Sequence, residues 1–225
     1  IMVLTGHAQS IESPNRQLNL TFHVDNGIPY YSLLYKGKII IEKSRLGFEM
    51  KNIPSMVDNF SILKSSTSAF DETWEPVWGE VKKIRNQYNE LEITLEQGSP
   101  KRTVIIRFRL YDDGLGFRYE FPNQKNLSYF TIAEEITQFN LGKDYTAFWI
   151  RGDYDTNEYN YTTSLLSEVS HQIDAATEEI SAQTPTKEIS VQTPLMLKGN
   201  GVYINIHEAA LKDYPAMLLE LDSTG

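Results

Sequence analysis

The chain has 225 residues, of which 40% are hydrophobic and 23% are charged, and its formal net charge is −9. This composition is typical of a globular protein, and no basic cluster is present that would bind the phosphate backbone of nucleic acid. The chain contains no cysteine, which excludes a disulfide scaffold, a thiol nucleophile and a thiolate zinc site.

The first ten residues, IMVLTGHAQS, are apolar and then small, with Gly6 and Ala8 placed as in an A-x-A-like cleavage site. This pattern is typical of the end of a signal peptide and predicts cleavage near Gln9, and therefore export. We expect residues 1–12 to be a disordered tail and residues 13–225 to form the domain. No apolar run reaches the roughly 20 residues that a transmembrane helix needs.

Period-2 alternation of polar and apolar residues dominates the rest of the chain, and Gly, Asn and Asp mark the turns between the segments. So many short strands with closely spaced turns predict an antiparallel β-sandwich. The predicted strands, in chain order, are 17–24, 29–35, 38–42, 89–97, 102–111, 116–121, 126–136, 145–150 and a hairpin over 193–206.

Two segments lack this alternation. Ser164–Asp174 has the composition of one short helix. The stretch from Ser170 to Thr193 is rich in Ser, Thr, Glu, Ala and Gln, and strand patterns resume after it. We interpret it as a long surface loop within the domain, covering about residues 170–193.

Two motifs resemble metal sites and fail on inspection. Asp153, Asp155 and Asn157 have the spacing of a calcium-binding loop, but the sixth and twelfth positions hold Glu158 and Ser164 in place of Gly and Glu. A polar loop organised by Asx turns explains this segment better. The segment HEAAL begins like the zinc motif H-E-x-x-H, but a leucine replaces its second histidine, which excludes a zinc protease helix.

The segment DETWEPVWGE (Asp71–Glu80) combines two tryptophans with four acidic residues. Exposed tryptophans stack on sugar rings, and carboxylates accept hydrogen bonds from sugar hydroxyls. Tryptophan is also the largest side chain available to fill a core, and burial is the usual fate of aromatic side chains. The sequence therefore favours core packing for these tryptophans over contact with a ligand.

The segment GVYINIHE places Val202, Ile204 and Ile206 on one face of a strand, and Glu208 follows on the same side. Spacing alone favours a glutamate exposed to water at the end of the strand, because an unpaired carboxylate is rarely buried. The chain has no nucleophile elbow, P-loop or dinucleotide fingerprint. The residues by themselves predict a β-sandwich with one carboxylate in an unusual place.

Several long segments, taken together in order, resemble the N-terminal domain of glycoside hydrolase family 97, and most closely the SusB-type α-glucosidases of starch-utilisation systems. The resemblance extends from about Ser13 to Leu221. It implies an all-β, antiparallel β-super-sandwich of the galactose-mutarotase type, followed in the enzyme by a catalytic (β/α)8 barrel that this sequence does not contain. The segments are SPNRQLNLTFHVDNGIPYYSLLYKGKIII, FDETWEPVWGEVKKIRNQYNEL, RFRLYDDGLGFRYEFP, AFWIRGDYDTNEYNYTTS and GVYINIHEAAL.

The resemblance further implies a periplasmic, calcium-dependent α-glucosidase that acts on starch and malto-oligosaccharides. In such enzymes barrel glutamates hold the calcium ion together with one glutamate from the HEA motif of the N-terminal domain, which is Glu208 here. The catalytic acid and base lie in the barrel, so the chain alone is expected to be inactive and no catalytic residue is assigned to it. We expect Glu208 to matter more for catalysis than for stability. An α-galactosidase of the same family and a stand-alone carbohydrate-binding module are the alternatives.

Overall fold

The computed structural model describes residues 8–173 and 189–222, and these residues form an all-β structure of antiparallel strands. The chain divides into two compact units, Ile1–Gly142 and Lys143–Gly225. The sequence predicts one domain, but no described strand of one unit pairs with a described strand of the other. The described strands therefore form two sets of sheets, one in each unit. Within the described residues, no helix has the length and apolar character needed to cross a bilayer.

The first unit begins with a four-stranded antiparallel meander. Asn26 and Gly27 join its second and third strands, and Lys36 and Gly37 join its third and fourth. All four turn residues have positive φ, as two-residue hairpin turns of type I′ require. The strands are β1 (Gln9–Glu12), β2 (Leu18–Asp25), β3 (Ile28–Tyr35) and β4 (Lys38–Arg45).

Strand β1 lies in the segment that the sequence predicts to be a disordered tail. It pairs with β2 from Gln9 onward, and Ile11 is buried. Gln9–Glu12 therefore belong to the folded unit, which the sequence predicts to begin at Ser13. Four residues with a single buried side chain are too few for alternation to be recognised in the sequence. Residues 1–7 of the predicted tail lie outside the described residues.

A second four-stranded antiparallel sheet follows in the first unit, and a short two-stranded sheet accompanies it. The four strands are β6 (Phe60–Trp74), β7 (Ile84–Gln97), β8 (Arg102–Leu110) and β9 (Leu115–Glu120). The short sheet pairs β5 (Phe48–Lys51) with β10 (Thr131–Glu135).

The two four-stranded sheets pack face to face and form the predicted sandwich. The ring centroid of Phe108 in β8 lies 6.0 Å from that of Phe22 in β2 and 6.2 Å from that of Tyr31 in β3. Phe117 in β9 approaches Tyr31 at 5.8 Å. Alternate residues of β8 are buried along its whole length, as period-2 patterning demands of a strand with one face in the core.

Arg102 is a buried cation at the start of β8, with only 1% of its surface exposed. Its guanidinium donates to the side-chain oxygen of Gln97 and to the backbone carbonyl oxygens of Pro54 and Ser55, at 2.5–3.0 Å. Gln97 in turn donates to the carbonyl oxygens of Ser55 and Asp58. These bonds satisfy the buried polar groups and fix the loop before β6 against the sheet.

The second unit contains a four-stranded sheet in the order β12-β11-β14-β15 and a separate pair, β13 with β16. Trp149 in β11 is fully buried and donates its indole N–H to the hydroxyl of Ser164 at 3.1 Å. The strands are β11 (Thr146–Trp149), β12 (Thr162–Leu165), β13 (Ser190–Gln192), β14 (Leu195–Gly199), β15 (Val202–Ile206) and β16 (Leu218–Glu220).

The predicted helix and loop of the second unit are both shorter than the sequence indicates. The helix consists of a 3₁₀ turn, Leu166–Glu168, and one α-helical turn, α1 (Val169–Gln172). Strand β13 lies inside the predicted loop of residues 170–193, and it forms because Ser190–Gln192 finds a partner far along the chain in β16. Residues 174–188 of that loop lie outside the described residues.

Candidate functional site

Glu208 lies where β15 runs out into a loop. The strand alternates as the sequence predicts, with Tyr203 and Asn205 exposed and the intervening residues covered. Ile206 is the last strand residue and is buried, and Glu208, two residues later, is half-buried. The chain then passes through residues 209–217 and returns as β16. The Glu208 side chain therefore lies on the same, covered side as Ile206 and is not fully exposed to water.

Both oxygens of the Glu208 carboxylate accept hydrogen bonds from the second unit. Oε2 accepts from the hydroxyl of Thr193 at 2.6 Å, and Oε1 accepts from the backbone N–H of Met217 at 2.5 Å. Thr193 follows β13 directly and Met217 precedes β16, one position beyond the pair formed by Gln192 and Leu218. Thr193 and Met217 are the two residues that would form the next pair of the β13–β16 ladder. The Glu208 carboxylate bonds to both of them and so links the two strands at this end.

The protonation state of Glu208 follows from these contacts. Burial raises the pKa of the carboxyl, but the hydrogen bonds from Thr193 and Met217 stabilise the charged form and bring the pKa below its usual range. The group is therefore ionised at neutral pH. The two oxygens together have about four acceptor sites, and the hydrogen bonds from Thr193, Met217 and the backbone N–H of Glu208 itself do not fill them, so the carboxylate retains the capacity to bind a cation.

Calcium binds six to eight oxygen atoms, and carboxylates are among its preferred ligands. Glu208 has the right chemistry for one of those ligands. In residues 8–173 and 189–222, no group of three or more His, Cys, Asp or Glu side chains is placed to hold a metal ion. The neighbouring His207 is exposed, and its Nδ1 lies 3.0 Å from the carbonyl oxygen of Glu208. Among the described residues, Glu208 could therefore supply one calcium ligand, and the remaining ligands would have to come from elsewhere.

The Asp153 segment is the polar loop that its composition indicates. One oxygen of Asp153 accepts the backbone N–H of Asp155 at 2.8 Å, which is an Asx turn, and the other accepts the hydroxyl of Tyr159 at 2.5 Å. The Tyr159 bond, followed by the backbone bond from Asp155, lowers the pKa of Asp153. This carboxylate organises its own loop.

Comparison with known proteins gives the context for these features. Residues 11–225 match the family model described as glycosyl hydrolase 97, N-terminal. The chain belongs to glycoside hydrolase family 97. It is similar to a family 97 enzyme from Pseudoalteromonas sp. strain K8, solved in complex with acarbose and, as a variant, with panose. In both cases the identity is 32%, the TM-score is 0.81, and the match covers 96% of this chain.

The matched region is 30% of the length of the Pseudoalteromonas enzyme, so this family 97 domain spans about a third of its relatives. A β-arabinopyranosidase shares the fold, with a TM-score of 0.72 at 22% identity over 90% of this chain and 32% of its own. These matches confirm the family and the all-β fold predicted from the sequence.

The tryptophans of the Asp71–Glu80 segment are not core residues of this family 97 domain. Trp74 is 46% exposed and Trp78 is 88% exposed, so the prediction of core packing is wrong for both. The reason is topological: β8 pairs only with residues 89–97 of β7, so the end of the β6–β7 hairpin extends beyond the sheet that would cover it. Neither sequence nor composition indicates how far a hairpin extends.

Proposed function

We propose that this family 97 domain belongs to an exported, periplasmic glycoside hydrolase that cleaves terminal α-glucosidic bonds of starch-derived malto-oligosaccharides. The domain braces a catalytic barrel and donates Glu208 to a calcium site that the barrel completes. Family membership supports the hydrolase assignment. The Pseudoalteromonas relative was solved with acarbose and with panose, and panose consists of α-linked glucose units, which supports the substrate class.

The main support for Glu208 as a calcium ligand is that hydrogen bonds hold its carboxylate in one orientation. The hydroxyl of Thr193 and the N–H of Met217 hold one oxygen each, and together they keep the group ionised at neutral pH. A ligand held in this way loses little conformational entropy when a cation binds, because its rotamer is already set. A bound calcium ion would supply positive charge that orients and polarises groups near the scissile bond.

The substrate class is tested on the full-length enzyme. We expect p-nitrophenyl α-glucoside to be hydrolysed much faster than p-nitrophenyl α-galactoside, and activity to fall in a calcium chelator and return with added calcium. The 225-residue chain, which has no assigned catalytic residue, is the matched control and should give no turnover above a blank. Preference for the galactoside would identify an α-galactosidase, and full activity in chelator would contradict the role of calcium.

The alternative of a carbohydrate-binding module has one observation in its favour, the exposed pair Trp74 and Trp78. Aromatic platforms of this kind bind sugar rings by stacking. Affinity electrophoresis of the 225-residue chain in gels containing soluble starch tests it directly. Retardation that Trp78→Ala abolishes would support the module, and unretarded migration of the unmodified chain would exclude it.

A further inference from the structure

The end of the β6–β7 hairpin is a two-stranded ribbon with an apolar tip. The ribbon pairs residues 70–74 with residues 84–88 and has no third strand among the described residues. The loop between them and its flanking residues line one shallow concave surface, which we call the tip surface. Its apolar residues are Trp74, Pro76, Val77, Trp78, Val81 and Ile84.

Every large apolar side chain of the tip surface is exposed to some degree, and the residues of the loop are exposed most. Trp78 is 88% exposed and Val77 is fully exposed. A contiguous exposed patch of this kind is uncommon on a protein that acts alone, because leaving large apolar side chains in water is unfavourable. Strand β6, which leads to the tip, is also an edge of its sheet in the described residues, and edges are usually covered or charged. Both features indicate a surface that a partner covers.

The chemistry of the lining indicates a protein partner. A sugar site combines an aromatic platform with several converging polar groups. Here the lining is proline, valine, isoleucine and tryptophan, and Glu80 is the one charged side chain that shares the surface among the described residues. Aliphatic side chains of this kind pack against other apolar side chains, as at the centre of a protein–protein interface.

We propose that the tip surface docks onto the part of the parent enzyme that lies beyond this domain, with Trp78 as the anchor. This inference rests on the proposed function, in which the domain works within a longer family 97 enzyme. The matched relatives are about three times as long as the region they share with this chain. A partner tethered to the same polypeptide is present at high effective concentration, so a small apolar anchor suffices to hold it.

The test compares Trp78→Glu in two contexts, the 225-residue chain and the full-length enzyme. In the 225-residue chain the side chain touches almost nothing, so the melting temperature should stay within about 1 °C of the unmodified protein. In the full-length enzyme a buried tryptophan anchor becomes a buried charge, and the melting temperature should fall by about 4 °C or more. Tyr129→Glu is the matched control, since Tyr129 is an aromatic residue of the same unit that is 89% exposed and lies outside the ribbon.

Hydrogen exchange provides a second readout that needs no substitution. Amides of residues 74–84 should exchange at least about tenfold more slowly in the full-length enzyme than in the 225-residue chain. Equal exchange in the two proteins, or equal effects of the two variants in the full-length enzyme, would overturn the proposal. A dimer of the 225-residue chain that Trp78→Glu dissociates would also overturn the proposal, because the partner of the tip surface would then be a second copy of the chain. Quenching of the tryptophan fluorescence of the 225-residue chain by maltotriose would overturn it as well, because the tip surface would then bind a sugar.

These outcomes do not depend on catalysis. If the unmodified full-length enzyme hydrolyses α-glucosides while its tip amides exchange freely, the docking proposal fails and the proposed function stands. If the tip is protected and the enzyme does not act on α-glucosides, the docking proposal stands and the proposed function fails.

Discussion

Replacing Glu208 with glutamine in the 225-residue chain tests whether the carboxylate has the structural role that its contacts indicate. Glutamine keeps the shape but removes the charge. Its carbonyl can still accept from the N–H of Met217, and its amide can donate to a rotated hydroxyl of Thr193, so two charge-assisted bonds become two neutral ones. A bond to a charged group contributes about 1 kcal/mol more than a neutral one.

The expected loss in the free energy of unfolding is about 1–2 kcal/mol at neutral pH, after allowing for the easier burial of a neutral side chain. This exceeds the small effect on stability that the sequence predicts for a residue outside the core. Because hydrogen bonds lower the pKa of Glu208 in the folded state, its stabilisation is complete above the ordinary value of 4.5 and is lost as pH falls through the folded value. The difference in the free energy of unfolding between the unmodified chain and Glu208→Gln should therefore become smaller at acidic pH.

Urea unfolding of both proteins at neutral pH and near pH 4 measures this difference. Glu158→Gln is the matched control, since Glu158 is an exposed carboxylate of the same unit, and it should leave stability unchanged. Thr193→Val removes one charge-assisted bond outright, together with the bond from the same hydroxyl to the carbonyl oxygen of Met217, and should cost at least as much as Glu208→Gln. Equal stability of the unmodified protein and Glu208→Gln at every pH would refute the reasoning and show that the carboxylate is solvated like an ordinary surface group.

Three further substitutions test the sandwich of the first unit. Arg102→Met should cost about 3 kcal/mol or more in urea unfolding, because it leaves the buried side-chain oxygen of Gln97 and the carbonyl oxygen of Pro54 without their donors; a loss below 1 kcal/mol would contradict this. Arg107→Ala should cost at least about 1 kcal/mol at low salt and less at 1 M salt, since it removes the partly buried cation that pairs with Glu90, Glu92 and Glu120; a salt-independent loss would point to packing. Gly27→Ala should lower the melting temperature, because φ is +81° and the new Cβ would lie 2.8 Å from the backbone nitrogen of Asn59; an unchanged value would contradict that geometry.

Much of the fold is predictable because most strands have one covered face. Alternating burial in β2, β3 and β8 appears directly in the sequence as period-2 alternation. Strand β6 escapes prediction because it is exposed on both faces after its first few residues, so its Ser- and Thr-rich sequence has no apolar period. Strands β1 and β13 are too short to carry a pattern, and only their partners define them.

The candidate site is predictable in part. The position of Glu208 on the covered face follows from counting along β15, and its link to a metal came from the family resemblance. Its partners could not be found in the sequence, because Thr193 lies 15 residues before it and Met217 nine residues after it, and only the pairing of β13 with β16 brings them together. The exposed tryptophans were mispredicted because residue type indicates a preference for burial but not whether anything covers the side chain.

The most direct test of the central claim is the calcium affinity of the full-length enzyme, measured by competition with a fluorescent chelator. The unmodified enzyme should bind calcium, Glu208→Gln should bind it at least about 10-fold more weakly, and Glu158→Gln should match the unmodified enzyme. The 225-residue chain should bind weakly or not at all, since it offers one carboxylate to an ion that needs six to eight oxygens. Equal calcium affinity in the unmodified enzyme and Glu208→Gln would contradict the account, because Glu208 would then be a structural link between β13 and β16 and not a ligand of the metal.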